Sequence, residues 1–119
     1  MTRKNIRSLT ASTAVAIGLA ISSAAPAAAD LDSRFADELH AYGIYGQRDY
    51  HAWLAKITCK RLSTSVDNTA VEAAQFLSQN LGNNATTEQT WQFLAAGIRT
   101  YCPRHESALT AAIDRSYPR

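Results

Sequence analysis

The sequence predicts an all-α fold: a small bundle of four to five short helices crosslinked by one disulfide. Three observations lead there. Beyond residue 30, apolar residues recur at three- and four-residue spacing, and no stretch alternates as a half-buried strand would. Gly43, Gly82 and Pro103 stand where those periodic stretches stop. Cys59 and Cys102 fall in two different stretches, so a bond between them would tie two helices together.

The first 29 residues read as an export signal rather than as part of the domain. Arg3, Lys4 and Arg7 form a basic start, and Leu9 to Ile21 is uncharged and rich in Ala, Val, Ile and Leu. Ala27-Ala28-Ala29 before Asp30 then suits cleavage. The same stretch is a poor membrane anchor, being rich in Ala, Ser and Thr and containing Pro26. The expected mature chain is therefore a single domain over 30–119, secreted or held at the cell envelope, with no stable membrane span after cleavage. It keeps nine basic and ten acidic residues, because three of the 12 bases and none of the 10 acids lie in the signal. That balance lacks the basic surplus of a nucleic-acid binder.

Export sets the chemistry of the cysteines. Oxidising surroundings favour the single intramolecular pair Cys59–Cys102, closing a loop of 44 residues worth roughly 4 kcal/mol by chain entropy. Buried free thiols, an intermolecular bridge, or a metal site completed by His105 are the alternatives.

The elements follow in order. The first helix is expected from Asp32 or Ser33, with Phe35, Ala36, Leu39 and Tyr42 on one side and Gly43 as a left-handed cap. A connector over Ile44 to Arg48 leads to a second helix from Asp49, as cap, to about Leu62; its inward residues are expected at Trp53 and Ile57. Lys56, Lys60 and Arg61 crowd its end, where the helix dipole favours cations. Ser63 to Asn68 reads as a loop. Thr69-Ala70-Val71-Glu72 is a capping box opening a third helix, with Val71, Ala74, Leu77 or Ser78, and Leu81 in line, Phe76 beside them and Gly82 closing it. The fourth helix, roughly Glu88 to Cys102, carries Trp91, Leu94, Ile98 and Cys102 on one stripe, with Ala95 and Gly97 leaving room for a neighbour. Past Pro103, a short fifth helix over Ser107 to Tyr117 is expected to turn Leu109, Ala112 and Ile113 inward.

The spacing Phe35-x3-Leu39-x3-Gly43-Ile44, then Cys59-x2-Leu62, then Phe93-x7-Tyr101-Cys102-Pro103 resembles the domain of unknown function 732 family. The resemblance covers about residues 32–103 and leaves 104–119 as a short C-terminal extension. It implies a small secreted helical protein of mycobacterial type with a disulfide, and it brings no catalytic residues. One departure stands out: family members often place a glycine shortly after Cys-x-x-Leu, where this chain has Ser63-Thr64-Ser65.

A search for chemistry finds no nucleophile motif, no metalloprotease motif and no phosphate-binding glycine loop. The chain reads as a non-enzyme, a monomer that binds an unidentified protein or small-molecule partner. The residues singled out for binding are His40, Tyr42, Tyr45, Tyr50, His51 and Trp53, which fall close together around the first connector. They allow two functional readings. Exposed Tyr and Trp anchor protein contacts, and a His or Tyr with aromatic neighbours is also what a haem carrier uses. The competing account packs Tyr42, Tyr50 and Trp53 at a helix junction and leaves His40 and His51 on the surface. Burial of Tyr45, Tyr50 and Trp53 would rule out a contact patch.

Overall fold

The computed structural model describes residues 24–116. Most of the expected export signal and Tyr117 lie outside the described residues. Five α-helices follow in order: α1 (Ala24–Ala41), α2 (Arg48–Ser63), α3 (Ala70–Asn80), α4 (Thr87–Tyr101) and α5 (Glu106–Ser116). A single 3-10 turn, Pro103–His105, joins the last two. Among the described residues there is no strand, and no helix is long and apolar enough to cross a membrane.

The central element is α4, which packs against all four other helices. It earns that position by composition. Phe93, Leu94 and Ile98 fill the core, while Ala96 and Gly97 let neighbours come close. A Cβ placed on Gly97 would stand 3.3 Å from the Cβ of Ala55, so α2 crosses α4 at a point where both side chains are nearly absent. Phe35 from α1 meets Phe93 and Tyr101 edge to face, each at 5.3 Å between ring centres. Cys59 and Cys102 are bonded, with Cα atoms 5.9 Å apart and both side chains buried. The bond ties α2 to the C-terminal end of α4 as expected, and there is no free cysteine for a metal site with His105 among the described residues.

Helix ends follow local chemistry. Gly43 adopts φ +78°. Its N–H donates to His40 O at 2.9 Å and that of Ile44 to Leu39 O at 2.9 Å, the paired bonds of a Schellman cap. Ile44 and Leu39 are both buried, which seals the cap with an apolar contact. At α3, the Glu72 N–H donates to Thr69 Oγ1 at 3.1 Å, but the Glu72 carboxylate reaches one residue further back and accepts from the Asn68 N–H at 2.6 Å.

The structure corrects several expectations. α1 does not start at Asp32 or Ser33; the alanine-rich stretch before them has high intrinsic helicity and extends the helix back to Ala24. Gln47 rather than Asp49 caps α2, leaving Asp49 inside the first turn where a carboxylate still suits the dipole. The buried face of α2 is His51, Ala52, Leu54, Ala55, Thr58, Cys59 and Leu62, so Trp53 points outward and Ile57 is only half buried. The large residues suggested one face, but close approach at Ala55 and the disulfide at Cys59 select another. Val71 is exposed because α3 packs through Ala70, Ala73, Ala74 and Leu77. α4 begins at Thr87, one residue early, under a capping box of Thr86 and Gln89 that the sequence reading passed over. On α5, Leu109 and Ala112 pack against the core, whereas Ile113 is exposed.

Candidate functional site

The connector between α1 and α2 shapes the candidate site. Gln89, the residue that completes the α4 capping box, also reaches across and donates from Nε2 to Tyr42 O at 3.2 Å and Gly43 O at 3.4 Å. Its Oε1 accepts from the Thr86 N–H at 3.0 Å. One side chain therefore fixes the start of α4 and the turn after α1. The Thr86-x-x-Gln89 spacing is the sequence signal that could have found it.

Five of the six residues singled out for binding gather here. His40 lies against Tyr45, ring centres 5.1 Å apart. Tyr50 lies 5.9 Å from Trp53 and 6.0 Å from His51. Tyr45, Tyr50 and Trp53 are 74%, 38% and 54% exposed, so the condition that would have ruled out a contact patch is not met. Tyr50 is held in place, its hydroxyl donating to Asn80 O at 2.8 Å. Tyr42 is the exception. It leaves the group to pack against the core, with its hydroxyl bonded to Glu38 Oε2 at 3.2 Å beside the Arg99–Glu38 ion pair.

His51 behaves unlike a surface histidine. It is 7% exposed, with the edge of Phe93 at 5.5 Å between ring centres. A Cβ on Gly46 would fall 2.7 Å from its Cε1, so any larger residue there would push the ring aside. Burial, and then the charge of His40, hold its pKa below the ordinary 6.5. The ring lines a small pocket of about 80 Å³ together with Tyr45, Asn84 and Gln89. No charged side chain lines that pocket. Among the described residues, no group of three or more His, Cys, Asp or Glu is placed to hold a metal ion.

Comparison with known proteins gives the chain its relatives. A family described as "Protein of unknown function (DUF732)" matches residues 31–104. The chain belongs to this family. It is 50% identical over 106 residues to the uncharacterized protein Rv0559c of Mycobacterium tuberculosis strain H37Rv, covering 86% of this chain and 95% of the relative. It is 33% identical over 103 residues to the uncharacterized protein Mb1302c of Mycobacterium bovis, covering 85% of this chain and 88% of the relative. No solved structure matches the chain significantly.

The residues that carried the resemblance to the DUF732 family have structural work in this member. Gly43-Ile44 forms the α1 cap, and Cys59 and Cys102 form the crosslink. Tyr101 donates its hydroxyl to Asp32 Oδ1 at 2.6 Å, and Lys56 lies 3.3 Å from the same carboxylate, joining α1, α2 and α4. Burial pushes the Asp32 carboxyl up, but the bonds from Tyr101 and Lys56 and the charges of Lys56 and Arg48 outweigh it and leave it below 3.8. Burial and the bond to Asp32 push the Tyr101 hydroxyl well up. This clamp was not foreseen, because no local pattern links residues 32, 56 and 101.

Proposed function

We propose that the chain is an exported, non-enzymatic binding protein that engages a protein partner through Tyr45, Tyr50 and Trp53. One observation carries the reading: three large aromatic side chains stand exposed around one helix junction, with Tyr50 fastened to Asn80. Rigid aromatic groups lose little entropy on binding and dominate interface energetics. The buried core, drawn from α1, α2, α3 and α4, does not include these three rings.

Contact at the surface suits the geometry better than enclosure of a cofactor. The pocket beside His51 holds about 80 Å³, against roughly 300–1,000 Å³ for pockets that enclose a small molecule. Export is supported by the sequence order of base-rich start, apolar stretch and small residues, and by where packing begins. Ala28, Ala29 and Asp30 are exposed, and from residue 28 onward the first buried side chain is Phe35. Cleavage before Asp30 would leave the packed part of α1 intact and place Asp30 and Asp32 in its new first turn, where the dipole favours acids.

The test captures partners with the native protein and with Trp53→Ala and Tyr45→Ala variants. A partner using this surface should bind either variant at least tenfold more weakly, the loss expected for a truncated anchor of about 1.4 kcal/mol or more. Equal capture by all three proteins would overturn the reading, as would haemin binding that disappears in His51→Ala. Intact mass of native material starting at Asp30 is the expected result for export; a chain beginning at Met1 would refute it.

A further inference from the structure

We infer that His51 is a proton-operated latch on the Tyr45 edge of the binding surface, holding that edge in place while neutral and releasing it when charged. This rests on the reading of Tyr45, Tyr50 and Trp53 as a contact surface, yet the latch itself is a property of the free chain.

The geometry supplies its three parts. First, the ring is buried and wedged between Gly46 and Phe93, and among the described residues neither ring nitrogen has a hydrogen-bond partner. Neutral imidazole carries one donor and one acceptor, whereas imidazolium carries two donors and a charge. Charging it in this position adds a second donor and a charge that no neighbouring side chain among the described residues meets.

Second, the surroundings offer no counter-charge. α1 presents His40, a second base. The connector presents Tyr45 and Gly46, and α2 presents Tyr50. From α4 come Phe93 and Gln89, and the latter has both ends of its amide already engaged. The stretch between α3 and α4 adds Leu81, Asn84 and Ala85. The acid nearest in sequence, Asp49, is paired with Arg48 at 3.0 Å.

Third, one neighbour can yield. Gly43 and Ile44 are pinned by the α1 cap and by Gln89, but among the described residues Tyr45 and Gly46 make no hydrogen bond. Swinging those two residues outward hydrates the imidazolium at little cost and leaves the core untouched. It also separates Tyr45 from His40 and removes the most exposed aromatic ring from the surface.

The experiment follows ring and backbone resonances of isotopically labelled protein, isolated as its host processes it, from pH 7.5 to pH 5. His51 should titrate below 6.5, and the amides of Tyr45, Gly46 and Gln47 should shift with the same midpoint. In His51→Gln these amides should stay still over the same pH range. Amides that ignore the His51 midpoint, or that still move in His51→Gln, would overturn the latch. Should His51→Gln fail to fold, Gly46→Ala provides the second test. Its new Cβ displaces the ring, so the amides around it should show the acid-form pattern already at pH 7.5. A neutral, pH-responsive pattern in Gly46→Ala would overturn the proposal. No partner is needed, so failure to find one bears on the surface and leaves the latch to be judged separately.

Discussion

Replacing Ser65 by glycine should stabilise the protein, although it deletes a side chain. α2 ends in the same cap geometry as α1: the Val66 N–H donates to Arg61 O at 2.9 Å and the Ser65 N–H to Leu62 O at 3.4 Å. That cap needs a left-handed residue, and Ser65 supplies it at φ +60°, the one non-glycine with positive φ among the described residues. A left-handed L-residue costs about 1–2 kcal/mol. Glycine removes that cost but loses about 0.5–1 kcal/mol through its freer unfolded chain. The net gain lies between about 0 and 1.5 kcal/mol, centred near 0.75 kcal/mol, which is roughly 3–6 °C in melting temperature for a domain of this size. Thermal and urea unfolding of wild type, Ser65→Gly and Thr64→Gly measure it. Thr64 sits at φ −103°, where glycine has no strain to relieve and loses the Thr64 Oγ1 bond to Lys60 O at 2.8 Å, so it should destabilise. A destabilised Ser65→Gly, or equal effects at both positions, would refute the reasoning.

Other outcomes follow from the same structure. Cys59→Ser, Cys102→Ser and the double variant should lose similar stability, about 4 kcal/mol for a loop with a sequence separation of 43, and chemical denaturation will show whether the losses coincide. Tyr101→Phe should cost about 1.5–3 kcal/mol, the range for a hydrogen bond to a charged group, as measured by urea unfolding at neutral pH. Because the folded Asp32 carboxyl titrates below its unfolded value of 3.8, its contribution is complete above that value and disappears as pH falls through the folded one. The acid limb of the stability curve should therefore be shallower in Tyr101→Phe. For His51 the depressed pKa has a consequence of the same sign at higher pH. The unfolded chain takes up its proton first, so stability falls as pH drops from 6.5 toward the folded value, and His51→Gln should flatten that limb.

The candidate site was only partly legible. His40, Tyr45, Tyr50, His51 and Trp53 could be grouped because a short connector keeps them close whatever the packing. Which of them faces water could not be read, since Trp53 and His51 are two residues apart, about 200° around one helix, so burying either one exposes the other. The periodicity favoured Trp53 for the core because a large apolar ring weighs heavily in any amphipathic pattern. The structure buries His51 instead, because α2 is positioned by Ala55 against Gly97 and by the bond at Cys59. Small residues carry little hydrophobic weight in a sequence, yet they decide where two helices touch.

The sequence by itself determined the all-helical class, the caps at Gly43 and Gly82, the capping pattern at Thr69, the stop at Pro103 and the one intramolecular pairing open to two cysteines. Each depends on residues within a few positions of one another, or on a count that allows one answer. The tertiary structure alone decided the rotation of α2, the clamp of Asp32, Lys56 and Tyr101, the second role of Gln89 and the confinement of His51. Those features join residues dozens of positions apart through hydrogen bonds and close packing, whose energies depend on distance in space and leave no periodic trace along the chain.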